Sequence, residues 1–170
     1  ADKKKEVYDA DLDALVEGYL HRGPDLWVLE AFHTSAGTGT LATASVTLRH
    51  ADGRTERRTA GGDGPIDALF NAMEAAVGLR LRLQDYQVRS VTRGKDAQGE
   101  VQIEARHNTQ VLRGRGVSTD IIEASALAFL GAINRAARKE AAKAADPAAA
   151  AAAAGEGEDD VAFEPASFSV

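Results

Sequence analysis

Twice along this 170-residue chain, three strand-like segments run straight into an amphipathic helix, and that order restricts the fold more than any other feature. In the first pass, Leu26 to Thr34 is rich in bulky apolar residues. Leu41 to His50 alternates, with Ala42, Ala44, Val46 and Leu48 on one face and Thr43, Ser45, Thr47 and Arg49 on the other. Asp52-Gly53 is a hairpin signal, and Arg54 to Ala60 returns as a third strand. Ile66, Leu69, Phe70, Met73 and Val77 then recur at helical spacing over residues 65–77. In the second pass the strands are Tyr86 to Thr92, a segment in which Val101, Ile103 and Ala105 alternate, and Gln110 to Arg115. Ile122, Ala126, Phe129, Leu130 and Ile133 mark a second helix running to about Lys139, with Asp120 and Glu123 at capping-box spacing. One such unit cannot bury both its sheet face and its helix stripe alone. The prediction is therefore an α+β fold of two β-β-β-α units packed together as an internal pseudo-repeat.

The first helix opens from Gly61-Gly62-Asp63-Gly64-Pro65. Glycines let the backbone turn tightly, Asp63 suits an N-cap, and Pro65 suits the first helical position. Three readings fit this loop: a plain capped helix start, an anion site, or a site for a ligand carrying an amine beside a carboxylate. Glycines at a helix start favour anions, yet there is no Walker lysine and Asp63 repels phosphate. For a zwitterion, Asp63 would meet the amine and the loop amides the carboxylate.

The rest of the sequence narrows the function by exclusion. No apolar run approaches the ~20 residues of a membrane span, and no signal peptide follows Ala1-Asp2-Lys3-Lys4-Lys5. There are no cysteines, so thiolate metal sites and disulfides are excluded and a cytoplasmic home is expected. The first residue is not Met, which points to a piece of a longer chain. The net charge of −6 comes from residues 146–170, which hold six acids and no Lys or Arg. A near-neutral body argues against nucleic acid as a partner. His21, His33, His50 and His107 lack metal-ligand spacing, and neither a Gly-x-Ser-x-Gly elbow nor a His-Glu-x-x-His helix is present. Asp63, Asp67 and Asp120 are the acids that a catalytic reading would need, and caps account for Asp63 and Asp120. The residues point to a binding module without catalytic or metal residues.

Three segments are expected: residues 1–22, a short helix carrying Leu12, Leu15, Val16 and Tyr19; the body, 23–140; and an Ala-rich, acidic, disordered tail, 141–170. The second helix has alanines enough to continue toward Pro147, and Phe163, Phe168 and Val170 give the tail a minor docking capacity.

Several ordered stretches resemble the C-terminal regulatory domain of 2-isopropylmalate synthase, a domain shared with citramalate synthase. They are Gly62-Asp63-Gly64-Pro65 with its helix, Leu83-Gln84-Asp85-Tyr86, Thr92 to Val101, and Gly114-Arg115-Gly116-Val117-Ser118-Thr119-Asp120 running on to Ser125. The resemblance covers about residues 23–137, and residues 1–20 resemble the end of a linker subdomain. It implies that the parent enzyme condenses acetyl-CoA with 2-oxoisovalerate in leucine biosynthesis, using a divalent metal in a TIM barrel that this chain lacks. It also implies that the domain pairs with its copy in a homodimer and binds leucine as feedback inhibitor, with no cofactor of its own.

Carried over by position, the resemblance places the effector pocket at Asp63, Gly64 and Ile66, continues it through Leu83, Tyr86 and Ser90, and closes it with Ala97, Val117, Ser118 and Thr119. Ile66, Leu83, Tyr86 and Val117 would form an apolar slot for a branched side chain, although core packing explains Ile66, Leu83 and Val117 equally well. Thr119 stands where some relatives carry proline, and Ser90 is more polar than the alanine or isoleucine found elsewhere. Leucine is the expected effector, with isoleucine the alternative. A purely structural dimerisation module is the other class to be tested.

Overall fold

The computed structural model describes residues 24–94 and 97–146. The helix expected over 1–20 and the tail beyond Asp146 lie outside the described residues. The elements follow the predicted order: β1 (Trp27–Ser35), β2 (Ala42–His50), β3 (Thr55–Gly62), α1 (Pro65–Val77), β4 (Arg82–Ser90), β5 (Gly99–His107), β6 (Gln110–Ser118) and α2 (Ile121–Ala145). Each strand triplet is an antiparallel meander, in order β1-β2-β3 and β4-β5-β6. The described residues up to 137 belong to one compact unit, and those from Arg138 to a second. The described part of that second unit is the end of α2, where Lys143 and Glu140 pair one turn apart at 3.8 Å.

The pseudo-repeat extends to the irregularities. β1 bulges between Leu29 and Ala31, and β4 bulges at the corresponding place between Leu83 and Asp85. Beyond the bulge Phe32 faces Val46 and Tyr86 faces Ile103, so these pairs are counterparts. The alternation read in β2 is borne out: Ala42, Ala44, Val46 and Leu48 are buried, as are Val101, Ile103 and Ala105 in β5. The Asp52-Gly53 turn forms, with Gly53 at φ 94° and the Asp52 carboxylate accepting the Arg54 amide at 2.9 Å. Asn108 closes the β5–β6 turn at φ 54°, a left-handed conformation that asparagine tolerates better than most residues.

Both helices lend their apolar stripes to one core. Leu69 and Met73 of α1 and Phe129 and Ile133 of α2 are fully buried, each worth roughly 1.5–3 kcal/mol of apolar burial. Phe70 and Phe129 stack with ring centroids 4.1 Å apart, joining the two units helix to helix. Two further devices fix α2. Gly114 and Gly116 in β6 let its backbone come so close that a Cβ on Gly114 would lie 1.8 Å from the Ala128 carbonyl oxygen, and one on Gly116 would lie 2.1 Å from that of Ala124. The buried Asn134 side chain then clasps the start of β1. Its Oδ1 accepts the Trp27 amide at 2.8 Å and its Nδ2 donates to the Trp27 carbonyl at 2.9 Å.

Candidate functional site

Each unit turns from its third strand into its helix at one end of its sheet, and nine of the ten predicted pocket residues lie at or near these two junctions. In the first unit the expectation needs correction. Gly61 and Gly62 do not form a loop. They pair with Thr43 and Ala42 as the last residues of β3, because backbone pairing needs no side chain. The turn is thus only Asp63-Gly64, and the N-cap of α1 is Gly64, in extended conformation, without a side-chain cap. Asp63 is therefore not the cap.

Asp67, the third residue of α1, satisfies this junction instead. Its Oδ2 accepts the Asp63 amide at 2.9 Å, so that amide is not open to a ligand. Gly62 is required beside it, since a Cβ there would lie 2.4 Å from the Ala68 nitrogen. Asn71 closes the turn from behind, donating to the Gly61 carbonyl at 3.0 Å. The Asp63 carboxylate is left exposed, with no partner among the described residues. Ile66 is half-buried and packs against the core.

The second junction gathers more of the predicted residues. Gly99 of β5 faces Ser90 on one side and Ser118 on the other, so the three form a row across the sheet end. Val117 and Thr119 flank Ser118, and Ala97 leads into β5, its amide donating to the Gly94 carbonyl at 3.3 Å. Tyr86 lies further along β4 on the helix side, its hydroxyl 2.7 Å from that of Ser125. Ser125 Oγ in turn donates to the Ile121 carbonyl at 2.6 Å, which locks the ring to the first turn of α2. The reciprocal capping box expected of Asp120 and Glu123 does not form; Asp120 caps the second helical amide and Ser118 stands between the two acids. Asp120 Oδ1 accepts the Ile122 amide at 2.9 Å, while Ser118 Oγ accepts the Asp120 amide at 3.1 Å and donates to Glu123.

Leu83 stands apart. It is 41% exposed and faces Ala105, at the end of β4 away from Ser90. Seven residues of strand span about 23 Å, far longer than one amino acid, so a single ligand cannot touch both side chains of one β4. Among the described residues, three surface clefts lie elsewhere. One of about 550 Å³ is lined by Glu74, Arg80, Leu81, Arg82, Arg106 and Asn108, one of about 450 Å³ lies beside it under Asn71 and Gly78, and one of about 490 Å³ lies on the outer face of the second sheet. None is lined by a predicted pocket residue. Sequence reasoning missed Ser125 and Asn134, polar residues inside a helix stripe whose role depends on what the helix faces. Asp67 carried a readable signal, an acid at the third helical position. Among the described residues no three His, Asp or Glu side chains gather to hold a metal.

Comparison with known proteins decides the family. The model of the LeuA allosteric (dimerisation) domain matches residues 6–137. The chain belongs to that family. Curated relatives agree with the assignment of this LeuA domain. It is 45% identical over 135 residues to the 2-isopropylmalate synthase of Ruminiclostridium cellulolyticum, covering 79% of this chain and 26% of the relative. The 2-isopropylmalate synthase of Solidesulfovibrio magneticus is 41% identical over 140 residues, covering 82% and 27%. That of Nostoc sp. is 44% identical over 135 residues, covering 79% and 25%. The LeuA domain thus spans about a quarter of the length of the curated relatives it matches. None of its described helices is long and apolar enough to cross a membrane.

Proposed function

We propose that this domain is the regulatory part of a 2-isopropylmalate synthase, that it binds leucine as the inhibitory signal, and that it pairs with a second copy of itself. Condensation of acetyl-CoA with 2-oxoisovalerate, and the divalent metal it uses, belong in this reading to the part of the parent enzyme that the domain does not span. What carries the reading is the match of the whole two-unit body to the LeuA allosteric domain and to relatives named 2-isopropylmalate synthase. Those names favour leucine over isoleucine.

In this reading the junctions divide the labour. Asp63 offers an exposed carboxylate with no partner among the described residues, which suits an ammonium group. The second junction offers the Tyr86 ring, Val117 and Ala97 for an aliphatic side chain, with Ser90, Ser118 and Thr119 supplying hydroxyls. Calorimetric titration of the chain with leucine, isoleucine and valine tests the reading. Leucine is expected to bind most tightly, and Asp63→Ala to weaken it at least tenfold, since a charge-assisted hydrogen bond is worth about 1.5–3 kcal/mol. Because Gly64 rather than Asp63 caps the helix, the same substitution leaves the unfolding midpoint in place. Isoleucine binding tenfold tighter points to citramalate synthase, and no binding at all leaves a structural dimerisation module.

A further inference from the structure

From the free edge of β4 we infer how two copies of this domain join: the β4 strands pair antiparallel across a two-fold axis at Gln87, fusing two three-stranded sheets into one of six. The inference rests on the dimer proposed above and adds the surface that forms it. Among the described residues β4 is an edge strand, and of its nine residues only Tyr86 is even half-buried. Val88 faces the fully buried Val101, yet it is itself 51% exposed because the sheet ends there. An open edge with an apolar row invites another strand.

The side chains on that edge specify the strand it fits. On the outer face Asp85, Gln87 and Arg89 form a hydrogen-bonded row, Gln87 Nε2 donating to Asp85 at 2.8 Å and Arg89 donating to Gln87 Oε1 at 3.3 Å. Read along the strand the row runs negative, neutral, positive, so a two-fold axis at Gln87 sets Asp85 against the partner's Arg89 and Arg89 against the partner's Asp85. Within its own sheet Asp85 faces Glu104, a like charge whose own cation, Arg113, lies one strand further on, and a partner's Arg89 at the edge would stand directly opposite Asp85. On the helix side the same register sets Tyr86 against the partner's Val88, an aromatic on a β-branched residue. The bulge at Leu83–Asp85 ends the pairing at the other extreme of the strand.

The other edge strands are less self-complementary: β3 has Glu56 and Arg58 on its helix-side face, but Arg57 lies between them. On their outer faces β3 presents Arg57 between threonines and β6 presents Arg113 and Arg115, so a two-fold partner would meet arginine with arginine. β1 presents Val28, Ala31, His33 and Ser35, with no pair of opposite charges.

Sedimentation equilibrium of the full chain, with a charge-swap cycle, tests the pairing. Asp85→Arg and Arg89→Asp are each expected to weaken dimerisation by about tenfold or more, since the two-fold repeats every clash. Combined in one chain they restore it, which no loss of folding can mimic. If the parent chain dimerises and all three variants match it, the pairing is wrong while the dimer stands. A parent chain that is monomeric at tens of micromolar overturns both.

Discussion

Gly114→Ala isolates the contact on which the second unit depends. A methyl group there falls 1.8 Å from the Ala128 carbonyl oxygen, 2.8 Å from its carbon and 3.1 Å from the Ala132 nitrogen. All three are backbone atoms, so no rotamer change relieves the clash and α2 must lift off β6. Lifting it disturbs the Phe70–Phe129 stack and the Asn134 clasp, both held by the same helix. Overpacking commonly costs 1–3 kcal/mol, and a backbone-on-backbone clash belongs at or above the top of that range, so ~3 kcal/mol is expected. With an m-value of about 2 kcal/mol/M, the urea midpoint falls by roughly 1.5 M. Gly131→Ala is the control on the helix side of the same crossing. Its methyl group would lie 3.6 Å from the Gly114 Cα, ordinary contact distance. It replaces glycine by the best helix former, so it stabilises by up to about 1 kcal/mol. If Gly114→Ala moves the midpoint by less than about 0.5 M, α2 does not sit on β6 as described.

Asn134→Ala leaves the buried Trp27 amide and carbonyl without partners and is expected to cost roughly 2–4 kcal/mol by urea unfolding. Asn134→Asp sets a buried carboxylate oxygen against the Trp27 carbonyl, so its loss is expected to be at least as large at neutral pH and to shrink as the acid is protonated. Glu74 gives a pH signature. Burial pushes its carboxyl above the ordinary value, against the Leu81 amide and Arg80, which pull it down. The native state therefore holds this proton more tightly than the unfolded chain. Its contribution is full below the unfolded pKa and is lost as pH rises through the folded one. Glu74→Gln is expected to gain on the parent chain between about pH 4 and pH 7, and a gap that narrows over that range contradicts the burial.

What was legible in the sequence follows from which residues carry their own pattern. β2 announces both faces because one is apolar and the other hydroxylic, and α1 is read to the residue because its apolar stripe begins at a proline. β4 begins at Arg82, four residues before the predicted start, because its bulge shifts the alternation midway and most of its side chains face solvent. β3 and β6 run further than expected for another reason. Gly61, Gly62, Gly114 and Gly116 look like turn residues, yet they pair in strands, and Gly62, Gly114 and Gly116 are small because a helix lies close against them. The misassigned cap at Asp63 has the same origin: with Gly62 in the strand, the helix start moves one residue on. The family pattern located most of the predicted pocket at the two junctions, but the position of Leu83 depends on strand length, which short motifs do not carry.

The two junctions are structural counterparts, and under the leucine-binding reading proposed above their differences set how many ligands a chain is expected to take. Gly62 faces Ala42 and Ser118 faces Gly99, the first residues of their neighbouring strands, so these positions correspond, as do Asp67 and Glu123, each third in its helix. In the first unit Asp67 bonds the turn amide directly, which requires Gly62 and leaves the Asp63 carboxylate unused. In the second, Ser118 stands between Asp120 and Glu123, and both acids are taken up in the cap. Thr119, at the position of Asp63, carries no charge. A zwitterionic effector needs an acid for its ammonium, and only the first junction supplies one. Duplication of the fold should therefore not duplicate the site. Calorimetry is expected to count one leucine per chain, and Thr119→Asp to leave that number unchanged, because the adjacent Asp120 and Glu123 would repel the new charge. Two leucines per chain in the parent protein would mean that the carboxylate of Asp63 is not what holds the ammonium.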